Sequence, residues 1–378
     1  EVSFYAREID YAIAHGVNYF DTSPVYCRGE SEKVTGIALA RHQRGKWRIA
    51  TKLSNFHPSF WPLDKSREMY ENSFTNLQVD KIDYYLLHAI GNDGFETFSK
   101  RYLENGALDF LAGERQAGRI RNLGFSFHGD PKAFEWCIAH NDTYKWDFCQ
   151  IQMNYVDWKH AKEVNPRNLD AKYLYETLSE RNIPVVIMEP LLGGRLARWN
   201  EALARNLKPL ARDDSLARWA FRFAGSFPNV MTVLSGMTRM SDIEENIETF
   251  SPLKPCTTAE FAALARAAED YLASNPIPCN ACQYCMPCPY GIDIPGIFQH
   301  YNKRVNEGAV PQSVEQENYR KLRRAYLVSY DRAIPTLRQA SHCTHCKQCL
   351  LKCPQSIAIP RELTRIDRYI EKLRTDTL

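Results

Sequence analysis

Residues 47–88 read WRIATKLSNFHPSFWPLDKSREMYENSFTNLQVDKIDYYLLH. The stretch opens on a strand at 47–52 and closes on a second at 82–88, and the spacing predicts a helix over 65–78 between them. Strand, helix and strand in that order predict a parallel pair covered by its crossover. The same unit repeats in both directions. Upstream stand an amphipathic helix at 4–15 with Gly16 placed to end it, a strand at 17–21 and a helix at 30–43. Downstream, helix 100–117 precedes strand 119–126, helix 131–140 precedes strand 147–153, and helix 169–181 precedes strand 183–188. Helices within 197–224, strand 229–235 and helix 241–250 close the series. Seven strands thus precede residue 250. A parallel barrel of this kind takes eight, and the chain opens on the helix that would follow the first, so the expected fold is a (β/α)8 barrel whose first strand lies upstream of Glu1. An open, doubly wound seven-stranded sheet is the competing architecture; the chain lacks its glycine-rich fingerprint.

Past residue 250 the pattern changes. SPLKPC breaks it, an Ala-rich helix follows at 257–273, and SNPIP leads into a cysteine-rich segment. The boundary is placed there, giving a barrel over 1–273 and a second domain over 274–378. The 378 residues carry 48 Lys and Arg against 45 Asp and Glu, with 44% hydrophobic residues, which excludes disordered and fibrous classes. A net charge of +3 gives no footprint for nucleic acid, and no apolar run approaches the roughly 18 residues of a membrane span. The expected setting is cytoplasmic, or an exported one if a leader upstream of Glu1 is removed after folding.

Of 12 cysteines, eight fall between Cys279 and Cys353. That segregation on a long chain is unlike a secreted disulfide scaffold and points to metal or cluster ligation. The segment is an internal repeat: Cys279-NA-Cys-QY-Cys-MP-Cys288-PYGIDIP matches Cys343-TH-Cys-KQ-Cys-LLK-Cys353-PQSIAIP. Structural zinc is usually held by two separated C-x2-C pairs, whereas three cysteines at intervals of three wrap three corners of an iron–sulfur cube. The second copy resembles the bacterial ferredoxin run, and its helical surroundings resemble the α-helical ferredoxin module. In two-cluster proteins of that kind the fourth cysteine serves the other cluster. The resemblance therefore implies two [4Fe–4S] clusters, one on Cys279, Cys282, Cys285 and Cys353 and the other on Cys343, Cys346, Cys349 and Cys288. The first copy departs from the pattern, with two residues rather than three before Cys288. From residue 273 onward 15 Lys and Arg face 9 Asp and Glu, a balance suited to anionic clusters, although Arg320, Lys321, Arg323 and Arg324 also read as a solvated helix face.

Chemistry on a βα barrel sits at the C-terminal ends of its strands. Taken in order, those ends offer Asp21, then Tyr26 in the loop DTSPVYCRGESE, Lys52 closing IATK and His88 closing IDYYLLH. Each is unremarkable alone; at consecutive strand ends they form a set suited to carbonyl reduction. Hydride delivery to a carbonyl leaves an alkoxide that needs a proton. A free tyrosine is a reluctant acid, and a cation beside it favours the phenolate. Lys52 would supply that charge, Asp21 would hold Lys52, and His88 would hydrogen-bond the carbonyl oxygen. The loop 55–62 after Lys52 is aromatic, and His128 follows the next strand end; both are candidates for the pocket wall.

DTSPVYCRGESE, IATK, IDYYLLH, IRNLGFS, QIQMNY, EPLLGGRLA and VLSGMTRMSDIEENI together resemble the aldo-keto reductase superfamily, specifically members with an iron–sulfur domain fused at the C-terminus. The resemblance implies a TIM barrel, a nicotinamide cofactor (NADH or NADPH), a small carbonyl or alcohol substrate and Tyr26 as proton donor. It places Ser126 and Gln150 at the nicotinamide carboxamide. It places Leu191 and Gly193, Gly236, Thr238 and Arg239, and Asn246 at the pyrophosphate and adenosine. Phe127 stands where the family usually has Asn, and Met188 where an aromatic ring commonly stacks on the nicotinamide. Asp242 stands where an Arg often grips the 2′-phosphate of NADP, which favours NADH, with Arg239 as the compensating cation. The reading is an oxidoreductase transferring hydride between nicotinamide and a carbonyl or alcohol. Its alternative is a cluster-dependent electron-transfer protein, or a redox enzyme whose clusters supply electrons at the barrel mouth; a redox partner is a further expectation.

Overall fold

The structure, a computed structural model, describes residues 2–378, with side chains from Ala6 onward. The chain packs as two compact units. The first holds residues up to Lys159, Arg167–Pro190 and Phe221–Cys256; the second holds His160–Pro166, Leu191–Ala220 and Thr257–Leu378.

All strands lie in the first unit: β1 (Tyr19–Asp21), β2 (Arg48–Leu53), β3 (Ile82–Ile90), β4 (Ile120–Phe127), β5 (Phe148–Gln152), β6 (Val185–Met188) and β7 (Val230–Val233). Every neighbouring pair is parallel and the spatial order follows the sequence, β1 to β7. A doubly wound sheet reverses direction partway, so this order excludes it and gives the TIM-barrel fold. Among the described residues β1 and β7 are the edges of the sheet, and the eighth strand expected upstream of Glu1 falls outside them. Ala50, Leu86, Phe148 and Val186 fill the interior, with Tyr84 edge-on to Phe148 at 5.2 Å between ring centres. Gly124 on β4 makes room for that ring: a Cβ there would lie 2.8 Å from the Phe148 ring and 2.4 Å from its carbonyl oxygen. Only glycine fits.

The helix expected over 100–117 is interrupted. A π-helical turn at Ser99–Leu103 and the helix Ala107–Gln116 are separated by Gly106 at φ +72°. Asn105 stabilises the break by donating to Trp61 O and Arg101 O while accepting from Ala107 N. The helix Asp157–Val164 was not anticipated by the strand and helix pattern.

In the second unit, helix Glu201–Leu207 packs against Thr258–Ala273, which starts with a Thr257–Glu260 capping box. The helical stretch expected across 296–330 is two helices, Ile294–Asn306 and Tyr319–Ala333, separated around Gly308 (φ +62°) and Pro311. The two Ile-x-Ile-Pro tails of the repeat do equivalent work. Ile292, Ile294, Ile357 and Ile359 are all buried in one core, while Pro295 and Pro360 sit in the first turns of Ile294–Asn306 and Ile359–Thr375. No helix among the described residues is long and apolar enough to cross a membrane.

Candidate active site and cluster-binding loops

The strand ends converge as expected within the first unit. Lys52 is fully buried near the end of β2; its Nζ donates to Asp21 Oδ1 at 2.5 Å and to Thr22 O at 2.8 Å. The same ammonium lies 4.9 Å from the centre of the Tyr26 ring. Tyr26 Oη is 3.5 Å from His88 Nε2, and the two rings meet edge-on at 5.7 Å. Tyr26 is 39% exposed, so its phenol is held on one side by Lys52 and His88 while open to an incoming molecule. The backbone just past it is strained, with Cys27 at φ +50° and Arg28 at φ +59° in the left-handed region.

Charge in this cluster is set by burial and by the pair. Burial works against the Lys52 charge, but the Asp21 carboxylate and Tyr26 outweigh it and hold the Lys52 pKa above its ordinary value. Burial raises the Asp21 pKa, offset in part by Lys52. Burial, reinforced by Lys52, Arg101 and His128, drives the His88 pKa well below the usual histidine value. His88 is therefore a neutral hydrogen-bonding group.

Sequence reasoning missed the residues behind His88. Ser54 Oγ lies 2.5 Å from His88 Nδ1, and Ser23 Oγ joins both, at 2.8 Å from Ser54 Oγ and 3.4 Å from the ring nitrogen. Arg101, only 1% exposed, donates to His88 O and to Tyr102 Oη, each at 2.8 Å, and to Asn55 Oδ1 at 3.2 Å. His88 N in turn donates to Tyr102 Oη. Arg101 also stacks on Phe56, whose ring is 4.9 Å from that of His88, so part of the aromatic 55–62 loop does reach the site. One arginine among many on a predicted helix carries no sequence signal; the π-helical turn that aims it inward is visible only in the structure. His128 is half-buried, and burial pushes its pKa down to about 4.

The fit of a nicotinamide can be tested on the strand ends beyond His88. Gln150 is buried with Nε2 directed at Met188 Sδ and with Oε1 lacking any hydrogen-bond partner. A buried orphan acceptor matches the amide N–H of a carboxamide. Ser126 Oγ is already engaged, accepting from Ala89 N at 2.7 Å. Phe127 points into the core against Phe134 rather than into the site. Gly236, Thr238 and Arg239 are exposed on the loop entering helix Met240–Phe250, and Asn246 donates to Ser235 Oγ. Asp242 occupies the first turn of that helix. These donors and acceptors fit the cofactor.

Leu191 and Gly193 belong to the second unit. Gly193 is left-handed (φ +65°), and a Cβ there would lie 2.7 Å from the Asn280 Cβ, so this loop abuts the first cysteine loop. Arg195 of the same loop is buried, and its charge acts on Cys279.

The cysteines lie close enough to act on one another's charge. Burial pushes Cys285 up to about 11, and Cys279, Cys282 and Cys353 reinforce it as neighbours. Burial likewise raises Cys349, with Cys343, Cys346 and Cys288 as its neighbours. Among the described residues no three His, Cys, Asp or Glu side chains converge as a single ion requires; Cys288, Cys343, Cys346 and Cys349 line one cavity, together with Cys285 of the first loop. Both loops share an unusual backbone. Ala281 and Gln283, and at the matching places His345 and Lys347, are all left-handed, as are Gly291 and Ser356 after the fourth cysteines. Alternating right- and left-handed residues make concave nests of N–H groups that suit an anionic cluster. None of Ala, Gln, His or Lys signals that geometry in sequence. The loops fit iron–sulfur cubes.

Residues 3–269 match the family model described as "Aldo/keto reductase family", and residues 278–358 match "4Fe-4S dicluster domain". The chain is 26% identical over 258 residues to a protein of Bacillus subtilis (strain 168) named "Uncharacterized oxidoreductase YqkF", covering 64% of this chain and 80% of that one. It is 24% identical over 268 residues to L-galactose dehydrogenase of Arabidopsis thaliana, covering 63% and 75%. Among solved structures, the holo form of aldo-keto reductase AKR11C1 from Bacillus halodurans superposes with a TM-score of 0.58 at 20% identity, over 71% of this chain and 88% of that one. An aldo-keto reductase from Klebsiella pneumoniae in complex with NADPH gives 0.55 at 19% identity, over 70% and 84%. By its sequence match over most of its length, the chain belongs to the aldo/keto reductase family and carries a 4Fe-4S dicluster domain after its barrel.

Proposed function

We propose that this protein is a nicotinamide-dependent carbonyl reductase or alcohol dehydrogenase, with catalysis by Tyr26, Lys52, Asp21 and His88 on a barrel spanning 1–273. A ferredoxin-like domain over 274–378 carries two [4Fe–4S] clusters in this reading; the family-model boundaries at 269 and 278 fall on either side of that division. The observation that carries it is the half-exposed Tyr26 phenol held between a buried ammonium and a neutral imidazole.

A bound reduced nicotinamide supplies the hydride. The carbonyl oxygen of the substrate accepts hydrogen bonds from Tyr26 Oη and His88 Nε2. Ser54 sits on Nδ1, so when its hydroxyl donates there the imidazole carries its proton on Nε2, facing the substrate. As negative charge develops on that oxygen, Tyr26 transfers its proton, and Lys52 stabilises the phenolate left behind. Asp21 keeps Lys52 charged and fixed. Ser126 and Gln150 orient the carboxamide, and Gly236, Thr238, Arg239 and Asn246 contact the rest of the cofactor. Asp242 would repel a 2′-phosphate, so NADH is the preferred form. The four ligands of each cluster are the crossed sets given above.

The test is anaerobic oxidation of NADH and NADPH by the iron-loaded protein against a panel of aldehydes and ketones. Turnover with at least one carbonyl, faster with NADH, is expected. Absence of nicotinamide oxidation across the panel would return the protein to the electron-transfer reading, and faster NADPH oxidation would overturn the cofactor preference.

A further inference from the structure

Helix Ile359–Thr375 follows the second cysteine loop and carries Arg361, Arg365, Arg368 and Lys372 at steps of four, three and four residues. That spacing puts all four on one face. Together with Lys347 and Leu350 of the cysteine loop they line an open groove of about 960 Å3. The groove adjoins the second cysteine loop: Lys347 and Pro360 line both it and the cavity lined by Cys285, Cys288, Cys343, Cys346 and Cys349. Cys346 itself is exposed.

Little of this charge is neutralised locally. Glu362 takes Arg365 at 2.7 Å and Arg361 at 3.3 Å, and Arg365 is further tied to Tyr301 Oη at 2.9 Å. Among the described residues Lys347, Arg368 and Lys372 form no ion pair. Glu371, the other glutamate on the helix, is turned to Arg374 and does not line the groove. Beside the cations the groove is lined by the apolar Leu350, Ala358, Pro360 and Tyr369. A small anion would be held by buried, converging donors. Exposed cations around an apolar patch next to a redox centre suit a transient protein partner that is steered in by charge and released quickly.

We propose that this groove docks a small electron-carrier protein with an acidic face, which exchanges single electrons with the cluster held by Cys343, Cys346, Cys349 and Cys288. The proposal rests on the reading of those cysteines as cluster ligands. In the inward direction the reduced carrier loses one electron and the cluster gains it, passing from the 2+ to the 1+ state, with no bond made or broken and no proton moved. Contact at this loop needs no movement of the carrier's cofactor, since the exposed Cys346 is one residue from Lys347 on the groove wall.

The test uses the full iron-loaded chain and a plant-type [2Fe–2S] ferredoxin as the acidic probe. Binding is measured by surface plasmon resonance from low to physiological salt, and electron exchange by anaerobic stopped-flow. The triple variant Arg361→Glu/Arg368→Glu/Lys372→Glu is expected to bind the ferredoxin and oxidise its reduced form at least ~10-fold more weakly and slowly at low salt, with a flattened salt dependence. Arg320→Glu/Arg324→Glu, the same kind of reversal on another exposed helix, is expected to change neither. The signal of the dithionite-reduced clusters and nicotinamide-linked turnover should be intact in both variants. The docking assignment fails if the wild-type chain shows no salt-dependent binding, if the triple variant behaves as wild type, or if the control reversal costs as much. It also fails if the triple variant loses only heparin or RNA binding. Absence of a cluster signal in the wild-type chain would instead refute the ligand reading, a separate outcome.

Discussion

Replacing Lys52 with Met separates structural from catalytic roles at the centre of the site. The ammonium is fully buried, 2.5 Å from Asp21 Oδ1, and Asp21 Oδ2 already lacks a partner. Lys52→Met therefore strands a buried carboxylate, a change that costs about 3–5 kcal/mol of stability. The catalytic loss comes from a different interaction. At the 4.9 Å between Nζ and the Tyr26 ring centre, an effective dielectric of about 20 gives roughly 3 kcal/mol of stabilisation of a phenolate. Its removal predicts a turnover loss of about 10²-fold or more. The two effects part in the double variant Asp21→Asn/Lys52→Met, which leaves no stranded charge. Urea denaturation should show most of the lost stability recovered, while nicotinamide-linked carbonyl reduction stays down by the same factor. If Lys52→Met turns over within about threefold of the wild type, or if the double variant regains activity along with stability, the ammonium is structural and the electrostatic account of Tyr26 is wrong.

Other expectations come from groups around the two sites. Burial pushes His128 and His300 down to about 4, with Arg304 and Lys303 adding to the effect at His300, whereas each would take up a proton near 6.5 when unfolded. The unfolded chain thus binds more protons between those values, so stability is complete above pH 6.5 and lost as pH falls toward 4. Thermal melts should show that decline, and His300→Gln should lessen it; a flat profile would contradict the assignment. Arg101→Met removes donors from His88 O, Tyr102 Oη and Asn55 Oδ1, and should destabilise the protein by about 1–3 kcal/mol for the acceptors left buried. It should also raise the His88 pKa, read by NMR, because one of the cations holding it down is gone. Arg195→Met takes a cation from beside Cys279, so redox titration followed by EPR should move one cluster's potential downward and leave the other in place.

The arrangement at the barrel mouth was legible because the βα alternation fixes which end of each strand lies at that mouth. Asp21, Lys52 and His88 could be aligned before any geometry was known, and the structure sets Lys52 and His88 beside Tyr26, with Asp21 on Lys52. The cysteine repeat itself was legible from spacing, and residues 278–358 match the 4Fe-4S dicluster model; the crossed ligand sets come from the ferredoxin resemblance. Three kinds of feature were hidden. Ser23, Ser54 and Arg101 act through hydrogen bonds made by isolated polar side chains, which leave no periodic trace in sequence. The break at Gly106 depends on Asn105 reaching Trp61, a contact across 44 residues of chain. The left-handed turns at Ala281, Gln283, His345 and Lys347 are imposed on residues with no intrinsic preference for them. Grouping of 191–220 with the cysteine-rich part is likewise a packing outcome, with Gly193 against Asn280 and helix Glu201–Leu207 against Thr258–Ala273.

The most direct measurement is single-turnover oxidation of NADH by a reactive carbonyl in the Tyr26→Phe variant, with iron and the reduced-cluster signal quantified in the same sample. If the Tyr26 phenol gives up the proton, the rate should drop about 10²–10⁴-fold while iron and cluster signal match the wild type. A Tyr26→Phe protein that reduces the carbonyl at the wild-type rate would contradict the assignment of the barrel mouth as a reductase site.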